Sequence, residues 1–476
     1  MGSGYDLIVV GAGSAGLPAA IFAAQGGARV LQIEADSRVG GTLHWSSGQI
    51  SAAGTRQQAA LGIEDSAEEH YQDAQRIAYG GIDPVLGRLA TGGAADTLHW
   101  LMDIGLELAP GTPMAGMVHE PYATRRYVWG HEQGLSILKA IEPVHRALAA
   151  SGAIELRLQT RMTGLLTSAS GAVAGVKAEC NGQKLEFRAP SVALTTGGYA
   201  ANPELWNEVT PYPLHSHCNP FSRGEGIIAA REIGAKIDRT DQFLATFAGF
   251  LQDPNDPLSA WFFQLAPAYR APWEIYVDGQ GKRFLREDHP SIHYSETSLL
   301  KQPGMRMVIV FDEGISQNAT PMTVPDKQGR DLRPEFNTHP AFQKADSIEE
   351  LAGRFDIPPE NLAETVRRYN KAVDSREDPD FNRLFLPRRV ERAPFYGIEA
   401  VGVTVISPGG VKVNGDLQVV DQSEKPINGL YAAGEILGFT RLSGAAFVGG
   451  MSLMPAMTFG RMIGEQAAAQ IKARAA

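Results

Sequence analysis

Three observations predict an α/β fold in which a Rossmann-type domain is interrupted by an inserted α+β domain. An apolar strand leads straight into Gly11-Ala12-Gly13-Ser14-Ala15-Gly16 and then into an Ala-rich helical stretch. Much later, Ser191-Val192-Ala193-Leu194 ends on Thr195-Thr196-Gly197-Gly198 and reads as a further strand of the same parallel sheet. Between 201 and 395 the texture turns to prolines, aromatics and irregular loops, and over 396–476 it returns to that of the start. The expected division is 1–200 and 396–476 for the split domain and 201–395 for the insertion.

The elements follow in order. Tyr5-Asp6-Leu7-Ile8-Val9-Val10 is the first strand, 17–26 the helix, and 28–33 the second strand, which ends at Glu34. In the G-x-G-x-x-G turn, Gly11 permits the tight bend, Gly13 lets backbone approach a pyrophosphate, and Gly16 allows close helix–strand packing. The helix start, with Ser14 and Ala15, offers free N–H groups and a positive dipole end to phosphate. An acid on the order of 20 residues further on bonds a ribose hydroxyl; Glu34 stands there, followed by Ala35. Residues 154–176 read as short strands with turns at Gly164 and Gly171-Ala172, and Met162 within them is assigned to the same site. A helix is expected near 362–373, and an Ala-rich helix closes the chain.

Composition narrows the function classes. With 43% hydrophobic and 20% charged residues, the 476-residue chain is ordinary globular material. A net charge of −10 and no basic run make nucleic acid a poor partner. Two cysteines, Cys180 and Cys218, argue against a disulfide framework, an iron–sulfur cluster or a zinc-thiolate site, and no other metal site is expected. Both are expected to be buried. No basic-then-apolar leader precedes the first strand, and no apolar run reaches the roughly 18 residues of a membrane span. The expected location is the cytoplasm.

The glycine turn suits NAD and FAD equally, and four further segments favour FAD. Gly40-Gly41-Thr42 and Ser47-Gly48-Gln49-Ile50 form a Gly- and Ser-rich loop that can thread past a pyrophosphate and a flavin edge. Thr196-Gly197 and Gly434-Glu435 both stand at the carboxyl ends of strands, where ligands of such sheets bind. Finally, Gly449-Gly450-Met451-Ser452-Leu453-Met454-Pro455 reads as a helix start, with Pro455 in the first turn. Free N–H groups there, from Gly450 through Ser452 and Leu453, would favour the negative charge of a reduced flavin.

These motifs carry a resemblance to the fumarate reductase/succinate dehydrogenase flavoprotein superfamily. Within it, the chain is similar to the soluble branch of flavocytochrome fumarate reductases, 3-ketosteroid dehydrogenases and tricarballylate dehydrogenase-like proteins. The carriers are GAGSAG with Glu34, GGT…SSGQISAAGT, TTGGYAAN (195–202), GQGKRFLRED (279–288), DPDFNR (378–383) and PGGVKV…INGLYAAGE…MPAMTFGR. The resemblance implies a FAD domain interrupted by a capping domain, and hydrogen transfer across a carbon–carbon bond beside a carbonyl or carboxylate. It also implies non-covalent FAD, because Thr42 stands where covalent members carry a His and His44 is out of register.

Departures from the family pattern point away from a dicarboxylate. The position of a carboxylate-binding His falls on Val405, and that of a carboxylate-binding Arg on Phe447, although Arg441-Leu442-Ser443-Gly444 could supply an Arg in a shifted register. Stranding a carboxylate beside Val and Phe is costly. The resemblance puts the proton-transferring residue at Ser291, with His293 and Tyr294 as its neighbours, and a substrate-facing Tyr at Tyr122 or Tyr127, Tyr122 being the alternative route for the proton. Aromatics Trp261, Phe262, Phe263, Tyr269 and Trp273 favour an apolar or cyclic substrate. Two rivals stay open. One is a tricarballylate-type carboxylate dehydrogenase using Arg125, Arg126, Arg270 or Arg286; the other is a flavin electron-transfer or redox-sensing protein. The absence of haem or iron–sulfur ligands implies an external electron donor or acceptor.

Overall fold

The computed structural model describes residues 4–322 and 335–475. It divides into two compact units. The first comprises Met1–Thr210, Cys218–Phe243 and Ile406–Ala476, and the second Pro211–His217 and Leu244–Val405.

The first unit is built on a six-stranded sheet. Its strand order is Gln418–Val420, Pro426–Ala432, Val192–Leu194, Leu7–Val10, Val30–Ile33 and Ile154–Arg157. All neighbours run parallel except Gln418–Val420, which is antiparallel to Pro426–Ala432. The central strands are short, apolar and buried throughout, as strands covered on both faces must be. Leu7 lies opposite Val30 and Ile8 opposite Val192, which brings the three carboxyl ends out at one edge, at Gly11, Glu34 and Thr195.

Helix Gly16–Gln25 follows the first strand and lies along the C-terminal helix Leu453–Ala475. The contact is close because small residues recur every four positions on the C-terminal helix. A Cβ on Gly460 would strike the Ala15 carbonyl, one on Gly464 the Ala19 carbonyl, and Gly26 faces Ala468. Helix Gly134–Ala150 completes this side, its buried Ile137, Leu138, Ala140 and Ile141 joining Leu17, Ile21, Leu43, Met454 and Met457 in one core.

A three-stranded antiparallel sheet, Thr160–Thr167, Val173–Cys180 and Gln183–Arg188, branches from the last parallel strand. The turn expected at Gly164 is instead a shift of register within one strand, a place where a residue without a side chain is easily accommodated. The turn at Gly171-Ala172 forms, closed by the Ser168 N–H donating to the Ala172 carbonyl at 2.8 Å. Cys180 and Cys218 are half-buried rather than buried, and neither forms a disulfide.

The second unit is an antiparallel sheet with helices, ordered Ala260–Phe262, Thr246–Leu251, Phe395–Val403, Arg306–Asp312 and Ile275–Val277, with Phe342–Ala345 also paired to Phe395–Val403. Its helix Pro359–Ser375 covers the expected 362–373. Phe263 is core here, stacked on Phe250 at 5.3 Å, whereas Tyr269 is 57% exposed. The two charged motifs meet in a buried network. Arg283 of the first bonds Glu287 and Asp378, and Arg383 of the second approaches Glu287 at 3.4 Å. Their pattern is therefore structural, each charge neutralised by an opposite one, as burial requires.

The units differ from the division 1–200, 201–395 and 396–476. Residues 218–243 return to the first unit because Gly226 fits against the Thr196 side chain and Ile237–Asp238 pairs with Gly410–Val411. The strand Phe395–Val403 stays whole in the second. A change of composition marks a boundary only loosely; pairing decides it.

Candidate active site

A cleft runs along the carboxyl edge of the parallel sheet. Its walls include Gly11, Gly13, Ser14, Ala15, Glu34, Ala35, Gly41, Thr42, Met162, Thr196, Gly197, Gly434 and Glu435. Distant segments converge because the parallel strands all end on this side. Two backbones come close across it: a Cβ on Gly41, whose φ is +48°, would stand 3.2 Å from the Gly13 Cα. A ligand passing here meets main-chain amides together with the side chains of Ser14, Thr42 and Asn219, neutral donors that suit a pyrophosphate.

Glu34 is held in place. Its Oε2 accepts from the Ala12 N–H at 2.6 Å and its Oε1 from the Asp36 N–H at 2.9 Å. Each oxygen keeps a lone pair for a ribose hydroxyl. Burial pushes its pKa up, only partly opposed by those two N–H groups. Glu435 is likewise raised by burial, and accepts from the Ser407 N–H at 2.9 Å and the Ser407 hydroxyl at 3.0 Å. Among the described residues, the Thr196 hydroxyl is buried in the wall without a hydrogen-bond partner in the chain. A dinucleotide fits this set of donors, acceptors and bare backbone.

Gly16 is not part of the lining; it is interior, where a Cβ would strike the Gly11 carbonyl. Ser47, Gly48, Gln49, Ile50, Gly450, Ser452 and Leu453 also lie off the cleft walls and cluster elsewhere in the first unit. Strand Ile50–Ser51 pairs with Tyr127–Val128, and Gly450 (φ +76°) abuts the Ile50–Ser51 backbone. Gly48 packs on the Gln133–Gly134 backbone, and Ser47 is exposed. Helix Leu453–Ala475 begins beside the cleft, since a Cβ on Gly434 in the wall would stand 3.9 Å from the Ala456 Cβ. His44 places Nε2 at 2.9 Å from the Val39 carbonyl, whereas Thr42 is in the wall.

The polar loop around Tyr122 exposes Glu120, Pro121, Ala123 and Arg125 but buries Tyr122, Arg126 and Tyr127. Tyr122 is 3% exposed, and its hydroxyl donates to the Gly449 carbonyl at 2.5 Å. Burial raises its pKa well above the ordinary 10. Arg126 lies over its ring at 5.0 Å and is itself paired with Asp65 and Asp73 at 2.7 Å each. A phenol engaged in this way positions the Gly449 turn; proton transfer is a poor use for it. Tyr127 meets Gln49 in the same fashion, at 2.5 Å. Nearby, His119 stacks on Phe447 at 4.2 Å, and Phe439 lies 6.3 Å from Phe447.

In the second unit, Ser291 sits at the N-terminus of helix Ile292–Leu300, and its side chain makes no capping bond. His293 and Tyr294, adjacent on that helix, point about 100° apart and do not face one another. The partner of Tyr294 is His289, stacked on it at 4.2 Å, with Nδ1 at 3.2 Å from the Ser291 N–H. The Tyr294 hydroxyl accepts from the Arg286 N–H at 3.1 Å. Sequence reasoning counted through His289 to Ser291 and sought its partners beyond it, at His293 and Tyr294, whereas the structure sets His289 against the Ser291 N–H.

The FAD binding domain family matches residues 6–453. The chain belongs to that family. Within it, the cytochrome-type fumarate reductase of Shewanella frigidimarina is 30% identical over 468 residues, covering 97% of this chain and 77% of the relative. A vinyl phenol reductase of Lactiplantibacillus plantarum is 28% identical over 454 residues, covering 90% and 89%. The 3-ketosteroid Δ1-dehydrogenase of Sterolibacterium denitrificans shares the fold, with TM-score 0.78, 20% identity, and coverage of 98% and 100%. This FAD-binding protein is thus an oxidoreductase of the fumarate reductase family acting on carbon–carbon double bonds. No helix among the described residues is long and apolar enough to cross a membrane.

Proposed function

We propose that the protein adds or removes hydrogen across a C–C bond beside a carbonyl in a neutral, hydrophobic small molecule, cyclic ones included. FAD is held non-covalently, and an external donor or acceptor exchanges electrons with it. The observation that carries this reading is the fate of the candidate arginines other than Arg125, which is exposed and has no carboxylate partner among the described residues. Arg126 is paired with Asp65 and Asp73, Arg270 with Glu274 at 2.6 Å, Arg286 with Asp288 at 2.7 Å, and Arg441 with Asp238. Of these, Arg126, Arg270 and Arg441 have nearly buried side chains, so freeing one for a substrate carboxylate would cost about 3–5 kcal/mol. Arg441 in particular donates to the Leu437 carbonyl as well, which removes it as a substitute clamp. Phe447 and His119 offer instead a stacked pair of rings, half-buried, against which a flat apolar molecule would lose little on desolvation. A relative named for reducing a vinyl phenol supports a neutral substrate.

FAD, when bound, supplies or takes the hydride at one carbon. The chain's own residues manage the proton at the other. His289 is the group proposed for this, with Ser291 beside it; an imidazole can present both a donor and an acceptor nitrogen, whereas a lone hydroxyl is a poor acid. Arg286, tied to Asp288, holds the Tyr294 phenol and so the ring on which His289 stacks. The test is an anaerobic titration of oxidised and reduced holoprotein with matched ketones, enones, dicarboxylates and tricarboxylates, followed by flavin absorbance. Response to the neutral compounds is expected. Response to the tricarboxylates alone would establish the carboxylate dehydrogenase instead, and response to none the electron-transfer reading.

A further inference from the structure

Strand Val30–Ile33 is buried along its whole length, yet its third residue is Gln32, which has no exposure. An amide in the middle of a parallel sheet is costly unless both its ends are bonded. Here both are. Gln32 Nε2 donates to the Gly11 carbonyl at 3.0 Å, and Gln32 Oε1 lies 2.6 Å from Nε2 of His145, a buried residue of helix Gly134–Ala150.

The Gly11 carbonyl belongs to the peptide that opens the glycine turn. The other end of that same peptide is the Ala12 N–H, which Glu34 accepts at 2.6 Å. Gln32 and Glu34 are two residues apart on extended backbone, so their side chains leave the same face. One grips the C=O and the other the N–H of a single peptide plane. Thr195 adds its hydroxyl to the Gly11 carbonyl at 3.2 Å. Gly11 itself has φ +105°, a conformation that a free chain leaves readily.

We infer that Gln32, oriented by His145, is a positioning residue for FAD: with Glu34 it clamps the Gly11–Ala12 peptide in the orientation that presents the turn to the pyrophosphate. The orientation of the amide is determined by its neighbours. If the amide were reversed, its oxygen would face the Gly11 carbonyl, two acceptors with no proton between them. His145 enforces the productive orientation by donating from Nε2 to the amide oxygen. Burial lowers its pKa to about 4, so it stands neutral at neutral pH, with its proton on the nitrogen that faces Gln32. The arrangement acts on cofactor affinity and leaves hydrogen transfer untouched.

The test uses FAD itself, with the purified apoprotein and Kd read from quenching of FAD fluorescence. The double variant Gln32→Leu/His145→Leu removes amide and imidazole together, so that of the three bonded groups only the Gly11 carbonyl loses a partner. Gln32→Glu at pH 8 keeps an acceptor for His145 but offers Gly11 no N–H. Both are expected to weaken FAD binding about tenfold, the factor that one hydrogen bond's worth of free energy represents. The apoprotein melting temperature of the double variant should stay within a few degrees of the parent. Unchanged FAD affinity in either variant would overturn the inference. So would a loss of affinity seen only at temperatures where the variant apoprotein has begun to unfold.

Discussion

Tyr122 and His289 show how surroundings, rather than residue type, assign a role. Tyr122 has the chemistry of a proton donor, but its hydroxyl is engaged by the Gly449 carbonyl and its ring is capped by a buried cation. Tyr122→Phe should therefore lower turnover by less than about tenfold, against the 10²–10⁴-fold expected when a general acid is removed. The measurement is kcat at saturating substrate. His289→Ala is expected to fall in that larger range. Rates unchanged in His289→Ala would return the proton to Ser291 or His293. Gln32 teaches the converse. In sequence it is one polar letter in an apolar strand, easily taken for a solvent-facing position, and only the pairing of strands on both sides shows that it is buried.

At the scale of elements, the helix pair Gly16–Gln25 and Leu453–Ala475 sets how tightly the glycine turn is backed. The recurrence of Gly460, Gly464 and Ala468 lets the two axes approach. Gly464→Leu should cost about 1–3 kcal/mol by overpacking, read from urea unfolding, and should weaken FAD binding with it. Helix Gly134–Ala150 carries a second test. Burial holds His145 at a pKa of about 4, and burial together with Arg126 holds His70 at about 3. In the unfolded chain each titrates near 6.5. The folded state thus binds fewer protons between these limits, and their contribution to stability is complete above about pH 6.5 and is lost as pH falls towards 4 and below. The raised carboxyls Glu34 and Glu435 act in the opposite sense, so the comparison must be with a variant. Gln32→Leu/His145→Leu should flatten the loss of stability between pH 7 and pH 4.5 by an amount on the order of a few kcal/mol, measured by urea unfolding at the two pH values.

For the whole molecule, much was legible because the decisive signals are local. A strand, a G-x-G-x-x-G turn, a helix and an acid lie within the first 34 residues, and the structure lines the cleft with Gly11, Gly13, Ser14, Ala15 and Glu34. Thr196, Gly197, Gly434 and Glu435 were readable for the same reason: each follows a short apolar run that had to be a strand. What escaped depended on long-range pairing. Residues 218–243 rejoin the first unit through contacts that no local pattern announces, and two arginines that looked available for substrate, Arg126 and Arg441, prove to be neutralised by carboxylates far away in sequence, Asp65 and Asp238, whereas Arg125 stays exposed. Charge lettering alone tells where a cation is, and pairing tells whether it is free to bind.

That pairing is the ground on which a neutral substrate is proposed, and one stopped-flow measurement addresses it. Photoreduced holoprotein is mixed anaerobically with a neutral cyclic enone or with fumarate, and the return of the oxidised flavin band is timed. The account predicts that the enone recolours the flavin with a second-order rate constant at least about a hundredfold above that of fumarate, the ratio to which about 3 kcal/mol of unpaired carboxylate would correspond. Faster recolouring by fumarate would contradict it.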